Sequence, residues 1–237
     1  MISIIIPAYN EERYLPETLE RIGQALSVVD CPSEIIVVDN GSEDKTKYIA
    51  ESFGAKTCSE SEHNISKVRN TGAKNSVGNV LIFVDADTLV PPSLFRSIIT
   101  AMEDGKCFGG AVSVIYGDFQ RRWVKFYLLG WRAWEAVFHT RQGATQFCRR
   151  EVFSELGGYD ESIYMGEDVE FHWRLAKLAK VKQGFVSFIE NPKVTTSTRR
   201  FDKMSWWKTI LLTNPLLIRL AWKRKGFWKD WYEKAVR

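Results

Sequence analysis

The most informative stretch of the sequence is Val80-Leu81-Ile82-Phe83-Val84-Asp85-Ala86-Asp87-Thr88. It begins with a continuous apolar run, which predicts a strand that is buried on both faces, as in a parallel sheet. Two carboxylates, Asp85 and Asp87, follow that strand one residue apart. Ionised carboxylates are costly to bury unless they are paired or bind a metal. The pattern therefore predicts either a site for Mg²⁺ or Mn²⁺, which prefer oxygen ligands, or a strand that ends in a turn-forming aspartate.

Strand-like and helix-like segments alternate on the N-terminal side of this stretch. Residues 2–7 and 34–38 are apolar runs that predict two further buried strands, and the apolar spacing across residues 15–29 predicts a helix between them. Such alternation implies right-handed crossovers and an α/β fold with a mostly parallel sheet flanked by helices. Because ligands bind such sheets beyond the carboxyl ends of the strands, we expect the three strand ends to converge on one crevice.

Several classes of protein do not fit the sequence. The first strand is not followed by Gly-x-Gly-x-x-Gly, and the chain has no Gly-Lys-Ser/Thr phosphate loop, so a nucleotide in the crevice is expected to be held by a metal and by strand-end side chains. The four cysteines have no paired spacing, which argues against a disulfide framework or a zinc site. No nucleic-acid-binding motif is present. Met1 leads directly into a strand-like segment, which favours a cytoplasmic protein over a secreted one.

Four segments stand in the order in which they occur in family 2 glycosyltransferases. They are Pro7-Ala8-Tyr9-Asn10-Glu11-Glu12, Val38-Asp39-Asn40-Gly41-Ser42, Arg69-Asn70-Thr71-Gly72-Ala73 and Asp85-Ala86-Asp87. Each segment alone is a weak signal, but the ordered set resembles that family as far as about residue 200. The resemblance implies the GT-A fold, a Rossmann-like α/β fold with a mixed, mostly parallel sheet.

The resemblance also implies an activity and a division of the chain. The family's enzymes are inverting and metal-dependent, so we expect transfer of one sugar from a nucleoside-diphosphate sugar, with UDP as the first candidate, to an acceptor hydroxyl. The acceptor is expected to be a glycan or a lipid-linked precursor of the cell envelope. The implied catalytic domain is 1–200, with a nucleotide-binding half at 1–90 and an acceptor-binding half at 91–200, and residues 201–237 form a basic, aromatic tail.

Two other functions stay open at this point. One is a metal-dependent nucleotidyltransferase that uses the same acidic site, although the loop after the first strand carries Glu11 and Glu12 rather than basic residues. The other is a non-catalytic, nucleotide-sugar-binding scaffold associated with the membrane. The absence of Gln-x-x-Arg-Trp and of spanning helices favours the addition of a single sugar over the extrusion of a polymer.

The resemblance assigns a donor site. Asp87 and Asp85 are the expected ligands of Mn²⁺ or Mg²⁺, Asp39 is expected to bind the base, and Lys67 or Arg69 is expected near the sugar or the phosphates. The full set implied for the nucleotide-sugar is Pro7, Ala8, Tyr9, Glu11, Asp39, Lys67, Arg69, Asp85, Ala86 and Asp87.

A Gly-Glu-Asp segment opens a predicted helix in the second half. Acids at a helix N-terminus commonly just complement the helix dipole, but the resemblance assigns Asp168 as the catalytic base. Inversion requires a base opposite the leaving diphosphate, so Asp168 and Asp87 are expected to face each other across the donor. Glu167 is expected to position the acceptor or the backbone. Arg199 or Arg200 is expected to contact the diphosphate or an anionic acceptor, unless the pair is merely solvated.

All nine tryptophans and much of the basic charge lie in the second half of the chain. The aromatic, basic segment 119–140 predicts either an interfacial helix or an ordinary packed one. A spanning helix needs about 20 apolar residues, and Lys208 and Pro215 interrupt the tail. Tryptophan mixed with lysine and arginine suits an anionic headgroup region, which predicts peripheral association with the inner face of the cell membrane. The alternative is a helix that docks on the core or on another subunit of a homo-oligomer.

Overall fold

A mixed sheet forms the centre of the protein. The computed structural model describes residues 1–117, 124, 144–199, 206–212 and 215–230. Within them, eight strands form one sheet in the order β3-β2-β1-β4-β7-β6-β8-β5. The strands are β1 (Ile2–Ala8), β2 (Ser33–Asp39), β3 (Lys56–Ser59), β4 (Val80–Val84), β5 (Thr88–Leu89), β6 (Cys107–Tyr116), β7 (Thr145–Arg149) and β8 (Phe185–Thr196).

Helices flank the sheet on both faces. In chain order, the described helices are α1 (Leu15–Leu26), α2 (Thr46–Ser52), α3 (Ile65–Lys74), α4 (Leu94–Glu103), α5 (Arg150–Glu155), α6 (Glu167–Val181), α7 (Trp206–Leu212), α8 (Pro215–Ala221) and α9 (Lys225–Asp230). Every residue of β1 is buried, as expected of a strand covered on both faces. Alternate residues of β1 enter different cores: Ile4 packs with Leu15 of α1, whereas Ile5 packs with Val68 of α3.

Strands β1 to β4 pair in parallel, and the second half supplies the antiparallel pairs. Strand β1 lies between β2 and β4, while β7 runs antiparallel to both β4 and β6. The predicted α/β fold with a mixed, mostly parallel sheet flanked by helices is confirmed. In register, Ala8 lies beside Asp39, and the amide of Asn40 donates to the carbonyl of Ala8 at 2.8 Å. The strand ends of the first half therefore meet at one edge of the sheet.

The second half reaches this edge through two features that the sequence pattern does not reveal. Strand β8 extends to Thr196, well beyond the apolar run at 185–189. Strand β5 has two residues and pairs antiparallel with the end of β8, which brings Thr88 beside Thr196. A two-residue strand is too short to show a hydrophobic period. Its effect is to carry the segment that follows β8 to the turn that contains Asp85 and Asp87.

The C-terminal tail is described in part. None of the described helices is both long and apolar enough to cross a bilayer. The tail's later residues contact the segment before α6: the amide of Tyr164 donates to the carbonyl of Trp222 at 2.7 Å, and Lys223 lies 3.3 Å from Asp160. The interfacial helix predicted at 119–140 lies outside the described residues except for Val124.

Candidate active site

Asp85, the first acid after β4, is paired with a buried arginine. Arg69 of α3 places Nη2 3.0 Å from Asp85 Oδ1 and Nη1 2.5 Å from Glu167 Oε1, at the start of α6. The Arg69 side chain is 6% exposed, and its guanidinium lies 5.4 Å from the ring centroid of Tyr159. Burial works to lower the pKa of Arg69, but the carboxylates of Glu167 and Asp85 raise it above its ordinary value. Arg69 therefore stays charged and joins the end of β4 to the start of α6.

Asp87, the second acid, is paired with a different arginine. Arg199 lies three residues beyond β8 and places Nε 3.2 Å from Asp87 Oδ2. Both terminal nitrogens of Arg199 donate to the carboxylate of Glu11, with Nη1 2.7 Å from Oε2. The guanidinium lies 4.7 Å from the ring centroid of Tyr14. Each aspartate of the Asp-Ala-Asp turn is therefore joined through one arginine to one glutamate from a distant part of the chain.

The carboxylate of Glu11 titrates near neutral pH. Burial raises the pKa of Glu11 to about 7, and this effect outweighs the hydrogen bonds from Arg199, which act in the opposite direction. The charges of Asp87 and Asp85 raise the Glu11 pKa further. Burial lowers the pKa of Arg199, but its bond to Glu11 and the charge of Asp87 raise the value above normal overall. The arginine thus keeps its positive charge beside Asp87 while Glu11 changes protonation state.

The ends of β1 and β2 form a second cluster. Asn40 donates both amide hydrogens of Nδ2 to main-chain carbonyls, at 2.6 Å to Glu60 and 2.9 Å to Glu62. Its Oδ1 therefore faces His63 Nδ1 at 3.2 Å, which assigns the proton to that ring nitrogen. The His63 ring packs against Tyr9 with the centroids 4.7 Å apart. Asn40 lies in one of the motifs quoted above but has no role assigned from the sequence, and no pattern in the sequence singles out His63.

Asp39 lies at the same edge of the sheet. Its side chain is buried, and Oδ1 accepts a hydrogen bond from the amide of Ser42 at 3.2 Å. Three other residues of the expected donor site, Pro7, Ala8 and Ala86, are buried at strand ends, so they offer main-chain groups more readily than side chains. The carbonyl of Ala86 accepts from the hydroxyl of Thr18 at 2.8 Å.

Lys67 and Arg69 lie on the same helix but in different surroundings. Lys67 Nζ is 2.5 Å from Glu62 Oε2, and its side chain is 31% exposed, whereas Arg69 is buried between Asp85 and Glu167. Arg69 can therefore contact a ligand directly only if its ion pairs with Asp85 and Glu167 break. With both ion pairs intact, a ligand would contact those carboxylates instead. Arg200 lies outside the described residues.

The start of α6 presents the acid expected to act as the base. Gly166 caps the helix in the left-handed region, with φ 79°, and Glu167 and Asp168 form its first residues. Glu167 is buried and bound to Arg69, whereas the Asp168 side chain is partly exposed. The partial positive charge of a helix N-terminus favours an ionised carboxylate. Through Arg69, the segment that contains Asp168 is held next to Asp85.

A second contact, from the sheet, holds the start of α6. Gln146 of β7 donates from Nε2 to the main-chain carbonyl of Asp168 at 2.9 Å, and Gln146 Oε1 accepts from the Tyr159 hydroxyl at 2.9 Å. Both side chains are almost fully buried. No sequence pattern singles out Gln146 or Tyr159, since a single polar residue in a strand and a lone aromatic in a loop are common features of a core.

The acids at the end of β4 fit a divalent cation only in part. In the part of the chain that the structure describes, no three His, Cys, Asp or Glu side chains are grouped to hold a metal by themselves. Asp85 and Asp87 provide hard oxygen donors, and a cation bound there would take its other ligands from a diphosphate or water, as Mg²⁺ commonly does. A cleft of about 230 Å³ adjoins Asp87, and its lining includes Thr18, Thr196 and Thr198.

Comparison with known proteins gives a consistent result. A family model described as glycosyl transferase family 2 matches residues 3–157, well over half of the chain. Glycosyltransferase AglE of Haloferax volcanii is 28% identical over 183 residues, which cover 73% of this chain and 59% of AglE. An undecaprenyl-phosphate 4-deoxy-4-formamido-L-arabinose transferase of Yersinia enterocolitica is 33% identical over 121 residues, which cover 47% of this chain and 36% of that enzyme. The chain thus spans less than two thirds of either relative.

A solved structure agrees with the fold. Glucosyl-3-phosphoglycerate synthase from Mycobacterium tuberculosis, crystallised with Mn²⁺, UDP and glucosyl-3-phosphoglycerate, superimposes with a TM-score of 0.62 at 18% identity. The superposition covers 92% of this chain and 79% of that one. At this level of identity the likeness establishes the GT-A fold, whereas the roles of individual residues stay predictions.

We predict that Glu11→Gln makes stability less dependent on pH. The folded-state pKa of Glu11 is about 7 against an ordinary 4.5, so the stability it contributes is fully present below the ordinary pKa and is lost as pH rises through the folded value. From pH 5 to pH 8, wild type should lose about 1 to 3 kcal/mol of unfolding free energy relative to Glu11→Gln. Urea denaturation in EDTA at both pH values measures this difference.

Glu12→Gln, which removes the exposed neighbouring carboxylate, is the matched control, with an expected difference of less than about 0.5 kcal/mol. The opposite result would be an unfolding free energy of wild type that increases with pH relative to that of Glu11→Gln. It would mean that pairing with Arg199 outweighs burial.

Proposed function

As the chain belongs to glycosyl transferase family 2, in agreement with the resemblance of its motifs, we propose that it is an inverting enzyme that transfers one sugar from a nucleoside-diphosphate sugar to an acceptor hydroxyl. The observation that carries this proposal is the bridge made by Arg69. Its guanidinium contacts Asp85 of the donor-side turn and Glu167, the neighbour of Asp168. This bridge supports the assignment of the donor-side acids and Asp168 to one site.

On the donor side, the carboxylates at the end of β4 would bind the diphosphate through a cation. Asp87, assisted by Asp85, would hold a divalent cation, which when bound neutralises charge on the leaving diphosphate. Arg199 adds a second positive charge close to Asp87. When the donor enters, the guanidinium exchanges part of its contact with Asp87 for the phosphates, while Glu11 retains it near the site. Tyr9, Asp39 and the neighbouring cluster at the ends of β1 and β2 receive the nucleoside.

On the acceptor side, Asp168 removes the proton from the attacking hydroxyl. A carboxylate in the first turn of a helix is favoured in its ionised form, which is the form that accepts a proton. Glu167 is a poorer candidate for the base because Arg69 already binds it at 2.5 Å. We assign Glu167 to holding the start of α6.

The comparisons support particular substrates for this proposal. The structural relative from M. tuberculosis was crystallised with UDP and Mn²⁺, which favours a UDP-sugar donor and a manganese-type cation here. The relative from Y. enterocolitica is named for transfer to undecaprenyl phosphate, which favours a lipid-linked acceptor. A calorimetric screen of nucleoside diphosphates with Mn²⁺ or Mg²⁺, followed by the matching sugars, would identify the donor.

A lipid-linked acceptor agrees with the surface of the tail. Helix α7 exposes Trp206, Trp207, Ile210 and Leu211, each at 46–59%, whereas Thr209 between them is buried. Residues 203–229 contain seven lysines and arginines and no acid. An apolar helix face within a segment that is rich in lysine and arginine is the combination that binds anionic bilayers. We propose that α7 docks the enzyme peripherally on the cytoplasmic face of the membrane.

Asp168→Asn should separate binding from chemistry. We expect the variant to bind UDP with Mn²⁺ as wild type does, because the donor side is untouched. Transfer should fall by roughly 10²- to 10⁴-fold, the usual contribution of a general base. Titration calorimetry and a transfer assay with the identified donor measure the two effects.

Glu151→Gln, which neutralises an acid in the first turn of α5, controls for the loss of charge at a helix start and should keep full turnover. Normal turnover by Asp168→Asn would remove this residue from the mechanism.

The double substitution Trp206→Ala with Trp207→Ala should weaken binding to phosphatidylglycerol vesicles. Each interfacial aromatic side chain is worth about 1.5 kcal/mol or more, so the partition coefficient should fall at least about tenfold. Vesicle flotation measures the bound fraction. Trp173→Ala, which removes a 40% exposed tryptophan from α6, is the control and should bind as wild type; equal binding by all three proteins would exclude α7 as the docking helix.

A further inference from the structure

Gln146 is an unusual residue for its place in the sheet. It lies on β7 between β4 and β6, opposite Phe83 and Ala111, and its side chain is 3% exposed. An apolar residue would fill such a position without cost, whereas a buried amide is unfavourable unless its polar atoms are all bonded. A buried glutamine here therefore calls for an explanation beyond packing.

The bonds of Gln146 have a fixed direction. A main-chain carbonyl only accepts, so the nitrogen of Gln146 must face the carbonyl of Asp168, at 2.9 Å. The oxygen then faces the Tyr159 hydroxyl, also at 2.9 Å, and this hydroxyl must donate. Burial raises the pKa of Tyr159 well above its ordinary value, so the hydroxyl keeps its proton. Both contacts are hydrogen bonds in this orientation of the amide only.

Tyr159 also contacts the other network that holds the start of α6. Its ring lies under the guanidinium of Arg69, which binds Glu167. It packs edge-on against Phe83 of β4, with the ring centroids 5.1 Å apart. The ring of Phe171 of α6 lies 4.5 Å from it in a tilted arrangement. The first two residues of α6 are thus held from two directions, Glu167 by its side chain and Asp168 by its carbonyl, and Tyr159 touches both networks.

We propose that Gln146 and Tyr159 are positioning residues for the base, which set the place of the Asp168 carboxylate relative to the donor. This inference rests on the proposed function, because it assigns the two residues an effect through Asp168. A hydroxyl and a base must be aligned within a fraction of an ångström for efficient proton transfer, and a small displacement costs one to two orders of magnitude in rate. Replacing Tyr159 by phenylalanine keeps the ring that lies against Arg69, the partner of Asp85, so we expect donor binding to be retained when the hydroxyl is removed.

The test uses Gln146→Leu, Tyr159→Phe and the double variant Gln146→Leu/Tyr159→Phe. Tyr159→Phe leaves the oxygen of Gln146 buried without a donor, and should lower the urea midpoint. The double variant replaces both polar partners with apolar groups of similar shape, a change that is often nearly neutral for stability. We expect its urea midpoint to return to the wild-type value.

In the double variant, kcat should stay low although the urea midpoint recovers. We expect the double variant to show a kcat lower by roughly 10- to 100-fold, with the donor KM and the affinity for UDP with Mn²⁺ unchanged. Recovery of both stability and kcat in the double variant would reduce the two residues to core packing and overturn the inference. A rise in donor KM with normal kcat would also overturn it. Should Asp168→Asn itself turn over normally, the proposed role of Asp168 as the base fails; should only the double variant do so, this inference alone fails.

Discussion

Two arginines balance the charge at the end of β4, and the rest of the site depends on them. Asp85 and Asp87 lie at the edge of a buried parallel sheet, where unpaired carboxylates would be costly. Arg69 and Arg199 supply the opposite charge, and each extends to a glutamate, so that four acids share two guanidinium groups. The bidentate geometry of arginine permits one side chain to connect two carboxylates in this way. The arrangement keeps an acidic turn stable before any cation or diphosphate arrives.

The two arginines differ in their surroundings and in the role that each is suited to. Arg69 is buried, lies against the ring of Tyr159 and binds both Asp85 and Glu167, so it acts as a structural link between the turn after β4 and the start of α6. Arg199 comes from a segment beyond the sheet and contacts a glutamate whose pKa is about 7. It is therefore the arginine better suited to exchange partners when a diphosphate binds. Membership of glycosyl transferase family 2 gives this charge arrangement a chemical purpose.

Sequence reasoning succeeded where the signal is local. The apolar run before Asp85 and the alternation of strands and helices identified the sheet, and the ordered motifs identified the family. It did not reveal the β5 and β8 pairing, because that contact joins residues about a hundred positions apart through a two-residue strand. Arg69 was expected near phosphates, but its burial against Glu167 depends on how α3 and α6 pack. The bonds from Gln146 and His63 were likewise invisible, since each is set by a partner distant in the chain.

We propose that the acids after β4 bind a diphosphate through a divalent cation, and calorimetric titration of UDP with and without Mn²⁺ is the sharpest test of this role. For wild type, Mn²⁺ should strengthen UDP binding. For Asp87→Ala, the Mn²⁺-dependent gain should fall at least about tenfold, since even outer-shell groups contribute that much to metal affinity. Glu17→Gln, which changes another acid lining the cleft beside Asp87, should behave as wild type. An undiminished Mn²⁺-dependent gain in Asp87→Ala would contradict the account.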